Sequence, residues 1–157
     1  MKEISDLRIQ HLKHDDCIRY KDTLISFYYR NSVTCSSLSH FSKADAEAKI
    51  NSMMDHISDG SAIVFGAITG DKLVGYIWSY EYTFREEARI YVSEIHVDES
   101  YRNRGIGKQL LRAVETAARD GGYGALYLHT EGSNKDAIKL YEKEGYIIER
   151  VQLRKGL

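Results

Sequence analysis

The sequence predicts an α/β protein with one mixed sheet flanked by helices. Runs of β-branched and aromatic residues alternate with segments whose apolar residues recur at helical spacing. Turn signals built on Gly, Asp and Asn separate these segments, since the chain contains no proline. The predicted order is β-α-α-β-β-β-α-β-α-β. Antiparallel hairpins in the first half therefore give way to a β-α-β arrangement in the second.

The N-terminal elements are a strand and a helix. Leu7–Leu12 alternates apolar and polar residues, which is typical of a strand. Helical spacing follows from Asp15 to about Asn31, and the carboxylates of Asp15 and Asp16 are suited to cap that helix. Residues 34–41 predict a loop.

A second helix follows, with an N-cap signal at Ser42 and Asp45. Its apolar stripe runs to Ile57, and Asp59 and Gly60 end it.

Three β-rich runs come next, and the rest of the chain alternates helix and strand. The β-rich runs are Ala62–Thr69, Lys72–Phe84 and Ala88–Val97, and Gly70-Asp71 joins the first two as a hairpin. The second half predicts, in order, a long amphipathic helix, a strand, a short helix and a last strand: Gly105 to about Asp120, Ala125–Thr130, Asn134–Glu144 and Tyr146–Leu153.

Composition restricts the class of protein. The 157 residues predict a single domain over residues 1–157. The net charge of −1 argues against a nucleic-acid partner, and no apolar run is long enough to predict a membrane span or a signal peptide. The two cysteines, Cys17 and Cys35, lack metal-site or disulfide-framework spacing and favour the reducing cytoplasm.

A glycine loop after the third β-rich run is the most informative feature. The strand ends at Val97, a polar loop follows, and Gly105 and Gly107 open the long helix. Unpaired N–H groups at a helix start bind phosphates, and Arg102, Arg104 and Lys108 add positive charge. The alternative is a solvated glycine turn with no ligand.

Two nucleotide-binding patterns fail at this loop. In a Walker A reading, Arg102 stands at the first glycine position and Gln109 replaces Ser or Thr. A dinucleotide pattern starting at Gly105 meets Leu110 where its last glycine belongs. A nucleotide-binding α/β protein is therefore a weak alternative.

The loop resembles a motif of the GNAT superfamily of N-acetyltransferases. Residues 102–107, Arg-Asn-Arg-Gly-Ile-Gly, match its [QR]-x-x-G-x-[GA] signature, and Ser93–Leu111 resembles its motif A. Leu126–Tyr146 resembles motif B, with Asn134 and Tyr141 in register. The resemblance extends over nearly the whole chain and implies the GNAT fold and acetyl-CoA as co-substrate.

The resemblance also implies which residues meet acetyl-CoA. The pyrophosphate would lie on the glycine loop, the pantetheine arm would pair with the preceding strand, and the first turn of the short helix would hydrogen-bond the pantetheine and leave room for it. The implied cofactor-binding residues are Ile95, His96, Val97, Arg102, Asn103, Arg104, Gly105, Ile106, Gly107, Lys108, Asn134, Ala137 and Tyr141.

Two residues are candidates for catalysis. A primary amine is mostly protonated at neutral pH, so a base must take a proton, and Glu94 is the best-placed candidate. The alternatives are a structural role for Glu94 and a base role for His96, which shares its face. Tyr141 stands where the family often has an acid for the leaving thiolate, or it is a packing aromatic. The Val97 N–H is the expected oxyanion donor.

Four aromatic residues and a pair of histidines have more than one interpretation. Tyr76, Trp78, Tyr80 and Tyr82 alternate along one strand, so they either pack on the sheet or form a wall for the acceptor. His11 and His14 lack further ligands nearby, which favours ordinary surface histidines and no metal site.

The prediction is an acetyl-CoA-dependent N-acetyltransferase acting on a primary amine of a small molecule or peptide, by direct attack in a ternary complex. A non-catalytic coenzyme A-binding domain of the same fold is the alternative. The 11 residues after Tyr146 leave room for one strand where many members form two, so a homodimer that completes the acceptor site is a weaker expectation.

Overall fold

The protein folds around one five-stranded sheet. In the computed structural model, which describes residues 6–35 and 40–157, the strands lie side by side in chain order. The first four pair antiparallel, and the last pairs parallel to its neighbour. The strands are β1 (Arg8–His11), β2 (Ala62–Thr69), β3 (Lys72–Phe84), β4 (Glu87–Val97) and β5 (Leu126–Leu128). The predicted mixed sheet is confirmed.

Five α-helices cover the two faces of the sheet in the described chain. They are α1 (His14–Arg19), α2 (Lys21–Cys35), α3 (Lys43–Ser58), α4 (Ile106–Asp120) and α5 (Lys135–Lys143). Helices α1, α2 and α3 pack on one face through a core that includes Leu24, Ile50 and Tyr76. Helices α4 and α5 pack on the other face, where Leu110 and Tyr141 are buried.

The first predicted helix is two helices. The chain leaves helical geometry at Tyr20, which ends α1 and is followed at once by α2. This bend lets Cys17 and Leu24 reach the same core, so tertiary packing overrides a periodicity that looked continuous. Helix α2 also extends to Cys35, into the predicted loop, and residues 36–39 of that loop lie outside the described residues.

The cap of α3 and the first hairpin agree with the sequence. The backbone N–H of Asp45 donates to the Ser42 hydroxyl at 3.2 Å, and the Ser42 N–H donates to the Asp45 carboxylate at 2.8 Å. The turn between β2 and β3 has Gly70 at φ 56. The turn between β3 and β4 instead places Arg85 and Glu86 at positive φ, where side chains are disfavoured.

A β-bulge interrupts β4 at Ser93. Trp78 of β3 pairs with Glu94, whereas the next residue, Ser79, pairs with Val92, so Ser93 is the extra residue. The bulge reverses which side chains face which helices. Val92 faces α4, and beyond the bulge Ile95 and not Glu94 faces α4.

Strand β5 is shorter than the predicted Ala125–Thr130. Its three residues pair only with Ile90–Val92, which precede the bulge. From Ser93 to Val97, β4 has β3 as its one strand neighbour in the described chain.

The predicted last strand, Tyr146–Leu153, is wrong. Tyr146 packs against the α4 and α5 core, but the residues beyond it form no strand, and Ile147 and Leu153 are 88% and 90% exposed. A strand needs a hydrogen-bonding neighbour, and no described segment supplies one beyond the short β5.

No described helix has the length and apolar character needed to cross a membrane. The described residues also contain no cluster of three or more metal-ligating side chains.

Candidate active site

The second half of β4 exposes its backbone toward the space that β5 has left. Asp98 N–H donates to Val74 O at 2.9 Å, and hydrogen-bonded pairs alternate along an antiparallel ladder. The pairs Gly75–Val97 and Ile77–Ile95 are therefore the non-bonded ones. The N–H and C=O groups of Ile95 and Val97 consequently point away from β3. We call this space the β4–β5 gap.

Glu94 lies on the α2 side of the gap. Its carboxylate is partly buried, and Asn31 of α2 donates a hydrogen bond to Oε1. Burial raises the pKa of Glu94 to about 7, because a charged carboxylate loses its hydration there, and the Asn31 hydrogen bond opposes this rise. Near neutral pH, Glu94 is therefore divided between its base and its acid form.

His96 points to the same face as Glu94, but it is packed more tightly. Its side chain is 5% exposed and lies against Phe27, with 4.6 Å between the ring centroids. Burial lowers the pKa of His96 to about 4, and nearby Arg102 acts in the same direction. The imidazole is neutral at pH 7 and binds a proton weakly. Its low pKa therefore makes His96 a poorer candidate base than Glu94.

The glycine loop forms the concave N-terminus of α4. A 3₁₀ turn at Glu99–Tyr101 leads into it, and both Asn103 (φ 59) and Gly105 (φ 74) adopt left-handed conformations. Gly105 is the N-cap and supplies no side-chain cap. The N–H groups of Ile106, Gly107 and Lys108 thus have no intrahelical acceptor, which suits them to an anion.

Cations surround this loop, and two of them lie beside carboxylates. Arg102 Nε donates to Val97 O at 3.0 Å, and an Arg104 nitrogen donates to Ser100 O at 3.2 Å. Lys108 Nζ lies 2.9 Å from a carboxylate oxygen of Glu144, whose side chain is 5% exposed. Glu144 therefore partly neutralises the Lys108 ammonium. Arg102 lies 3.8 Å from a carboxylate oxygen of Glu99, so Arg104 carries the least compensated positive charge of the three.

Helix α5 brings three predicted residues to the other side of the gap. Asn134 caps the helix by accepting from the Ala137 N–H at 3.3 Å. Its amide nitrogen is then the group suited to donate to a ligand. Tyr141 is 9% exposed, and its ring lies 5.7 Å from that of Tyr146. Glu94 and Tyr141 thus belong to opposite faces of the sheet.

The four aromatic residues of β3 divide into two pairs. Tyr76 and Trp78 are buried in the core beneath α2 and α3, as sheet packing predicts. Tyr80 and Tyr82 remain partly exposed toward the β3–β4 turn. His11 pairs with Phe65 in a stacked arrangement, 5.0 Å between centroids.

A separate cleft of about 280 Å³ lies between α2 and the start of β3. Asp22, Arg30, Lys72 and Asp98 line it together, so its charges balance. Neither Glu94 nor Tyr141 lines this cleft, which therefore does not contain the candidate catalytic groups.

Sequence reasoning missed three features of the site: Asn31 as the partner of Glu94, Glu144 as the partner of Lys108, and the bulge at Ser93. A signal for the bulge exists, since the apolar residues at 90 and 92 continue at 95 and 97, which breaks the period of two. Asn31 and Glu144 are distant in sequence from their partners and leave no such signal.

The sequence and fold of this chain are similar to those of known acetyltransferases. The sequence profile of the Acetyltransferase (GNAT) family matches residues 25–146. The chain belongs to the GNAT family. The predicted family, the predicted fold class and the prediction of an acetyl-CoA-dependent N-acetyltransferase are thereby confirmed.

Individual relatives carry similar names. An uncharacterised N-acetyltransferase, YdgE of Bacillus subtilis, is 27% identical over 114 residues, covering 71% of this chain and 73% of that protein. N-alpha-acetyltransferase 30 of Xenopus laevis is 35% identical over 89 residues, covering 54% of this chain and 32% of its own length. This GNAT chain therefore matches only about a third of the frog protein.

Solved structures of low sequence identity share the fold. An aminoglycoside acetyltransferase, meta-AAC0020 from an uncultured soil metagenomic sample, superposes with a TM-score of 0.76 at 22% identity over 99% of both chains. AAC(6')-Iy in complex with a CoA-S-monomethyl-acetylneamine bisubstrate analogue gives a TM-score of 0.72 at 19% identity, over 98% of this chain and 99% of that one.

Proposed function

We propose that this GNAT protein transfers an acetyl group from acetyl-CoA to a primary amine of a small molecule or peptide, by direct attack within a ternary complex. The observation that carries the proposal is the β4–β5 gap, where backbone groups of β4 that β3 does not use lie beside a carboxylate with a raised pKa. The amine would enter on the Glu94 side, and the thiol would leave on the Tyr141 side.

The proposed contacts to acetyl-CoA follow from the chemistry of each group. The N–H groups at the start of α4 and the guanidinium groups of Arg102 and Arg104 suit the pyrophosphate. Pantetheine amides suit an added-strand pairing with Ile95 and Val97, since these backbone groups are not used by β3. At the first turn of α5, the Asn134 amide would donate to the same arm, and Ala137 would leave room for it.

The proposed reaction assigns one proton to each catalytic group. Glu94 accepts one proton from the bound ammonium, directly or through one water, and the neutral amine then attacks the thioester carbonyl carbon. The second amine proton becomes acidic as the nitrogen–carbon bond forms and passes to solvent. The backbone N–H of Val97 stabilises the charge that develops on the carbonyl oxygen. As the carbon–sulfur bond breaks, Tyr141 donates its proton to the sulfur, and the products are an amide and free coenzyme A.

Three further proposals concern the extent of the domain, the oligomeric state and the cellular location. The chain forms one domain over residues 1–157, and it works as a homodimer in which a second copy completes the acceptor side. A cytoplasmic location is also proposed, because Cys17 is a buried free thiol and the reducing cytoplasm preserves such thiols.

The first experiment is a thermal-shift series with acetyl-CoA, coenzyme A, ATP and NAD, followed by an assay of free-thiol release with amines. A ligand at about 100 times its Kd adds about 2.7 kcal/mol, which raises the Tm by several degrees for a domain of this size. We expect a shift with acetyl-CoA and amine-dependent thiol release.

Two other results would contradict the proposal in different ways. A shift with ATP or NAD and none with acetyl-CoA would return the glycine loop to nucleotide binding. A shift with acetyl-CoA and no thiol release with any amine would identify a coenzyme A-binding domain without turnover.

A further inference from the structure

A continuous set of aromatic rings extends from Trp78 toward the β3–β4 turn. The ring centroids of Trp78 and Tyr80 are 6.2 Å apart, those of Tyr80 and Tyr91 are 5.5 Å apart, and those of Tyr91 and Tyr82 are 6.0 Å apart. Tyr28 of α2 joins the inner end, 6.5 Å from Trp78. We call the partly exposed members, Tyr28, Tyr80, Tyr82 and Tyr91, the aromatic platform.

The platform begins where the candidate base lies. Trp78 is directly opposite Glu94 in the β3–β4 pairing, and Tyr80 is the next residue of β3 on the same face. The negative charge of Glu94 contributes to the raised pKa values of both Tyr28 and Tyr91, which places their hydroxyls within electrostatic reach of that carboxylate. A molecule lying on these rings would therefore present one end to Glu94.

The platform is nearly neutral. Burial raises the pKa of Tyr80 and of Tyr91, and it raises that of Tyr28 to about 12, so all three phenols stay uncharged at physiological pH. Glu94 is the carboxylate at its inner end. The four platform residues are all tyrosines, so they supply no carboxylate to a second ammonium group.

The outer end of the platform is bordered by cations. The guanidinium carbons of Arg89 and Arg150 lie 4.8 and 4.7 Å from the ring centroid of Phe84, and that of Arg85 lies 5.3 Å from it. Arg89 is paired with Glu87 at 2.7 Å, and Arg150 lies 3.8 Å from Glu149. A second ammonium group that extended along the platform away from Glu94 would therefore meet guanidinium groups and two carboxylates that are already paired.

We propose that the acceptor is a small arylalkyl monoamine, whose aromatic ring packs against Tyr80 and Tyr91 while its single amine lies at Glu94. The inference rests on the proposed function, since it names the acceptor class of the same site. It separates this chain from a polyamine or aminoglycoside acetyltransferase, whose acceptors carry several positive charges.

The test compares four amines on the full-length protein: 2-phenylethylamine, n-butylamine, spermidine and kanamycin. Turnover is measured as thiol release with saturating acetyl-CoA. Binding is measured separately by the fluorescence of Trp78, the one tryptophan of the chain. We expect kcat/KM for 2-phenylethylamine to exceed that for each other amine by about tenfold or more, because ring stacking adds to apolar burial.

Leucine substitutions identify the rings that carry this preference. Tyr80→Leu and Tyr91→Leu should each reduce kcat/KM for 2-phenylethylamine by about 3- to 10-fold, while that for n-butylamine changes less than about twofold. Tyr123→Leu is the matched control, since this partly exposed tyrosine packs against the α4 core away from the platform. It should leave the ratio of the two amines unchanged.

The outcomes separate the inference from the proposed function. A preference for spermidine or kanamycin, or an equal loss for all amines in both platform variants, overturns the arylalkylamine inference and leaves amine acetylation standing. Selective quenching of Trp78 by 2-phenylethylamine without thiol release from any amine supports the platform and contradicts acetyl transfer. Neither quenching nor turnover would overturn both.

Discussion

The two halves of β4 share one strand but have different neighbours. Before the bulge, Ile90–Val92 pairs with β3 on one side and β5 on the other. After it, Glu94–Val97 pairs with β3 alone among the described strands, and its other edge opens on the β4–β5 gap. We call Glu94–Val97 the open half of β4. Side chains of the first half pack in the core or belong to the hairpin. The second half contains both candidate bases of β4, Glu94 and His96. In this fold, a site arises where one strand loses a partner.

The largest expected effect removes the base from the open half. Glu94→Gln keeps the side-chain shape and should lower kcat by about 10²–10⁴-fold, because proton acceptance is lost. In the native protein, kcat/KM should rise with pH through about 7, the pKa of Glu94, and the variant should lose that limb. The measurement is a pH–rate profile for both proteins.

The same substitution has an effect on stability of a definite sign. The folded state raises the pKa of Glu94, so it binds a proton more tightly than the unfolded chain, and the stability of the native protein falls as pH rises through about 7. Glu94→Gln should therefore raise the Tm at pH 8 and change it little at pH 5. Glu87→Gln is the control, because Glu87 is exposed at the other end of β4 and ion-paired with Arg89. It should alter neither kcat nor this pH dependence of stability. An unchanged kcat in Glu94→Gln would remove Glu94 as the base.

The second expected effect blocks the ligand of the open half. Gly105→Glu should weaken acetyl-CoA binding by about a hundredfold or more, since a carboxylate would stand where the phosphates need N–H groups and cations. A Cβ at Gly105 meets nothing within 4 Å, so the substitution does not clash with the protein itself. Affinity is measured by calorimetry or thermal shift.

Gly122→Glu is the matched control for that variant. Gly122 ends the same helix, also has positive φ, and also has nothing within 4 Å of an added Cβ. Both variants should lose about 1–2 kcal/mol of stability from the left-handed conformation, and only Gly105→Glu should lose acetyl-CoA. Equal affinities in the two variants would refute the assignment of the loop.

A smaller effect is expected on the α5 side of the gap. Tyr141→Phe keeps the buried ring and removes the proposed acid, so kcat should fall about 10- to 100-fold with little change in acetyl-CoA affinity. Tyr146→Phe removes a hydroxyl from the adjacent ring and should leave kcat unchanged. If chemistry limits the rate and both variants keep native kcat, Tyr141 is a packing residue only.

The smallest effect concerns the one strand that still holds the open half. A Cβ at Gly75 would lie 2.9 Å from His96 O and 3.4 Å from Val97 Cα, so Gly75→Ala must push the end of β4 outward. We expect a loss of about 1–3 kcal/mol and a severalfold higher KM for acetyl-CoA. In Gly66→Ala the added Cβ meets side-chain atoms of Leu73 and Leu12 instead, so stability should fall without a change in KM. A KM that changes equally in both variants would contradict a specific role for the Gly75 approach.

Much of this architecture could be predicted because local chemistry specifies it. The bounds of β2 and β3, the Ser42 cap and the helix after Gly105 follow from turn residues, capping side chains and periodicity. The division at Tyr20 and the missing C-terminal strand depend on partners distant in sequence, which periodicity does not contain. The position of Glu94 beside α2 required the bulge, and its raised pKa required burial that only the fold creates.

The short parallel contact between β4 and β5 also affects how the molecule assembles. Strands β2, β3 and β4 come from neighbouring segments of the chain, whereas α4 separates β5 from β4, so we expect β5 to pair only after this crossover has formed. Local hairpins form quickly, and non-local parallel pairing is slow because loop closure must come first. We therefore expect the β4–β5 gap to separate an early-forming unit, strands β2 to β4, from a late-forming unit that contains α4 and β5. A molecule bound across the gap would connect both units and slow their separation, so bound acetyl-CoA should lower the rate at which the native protein unfolds.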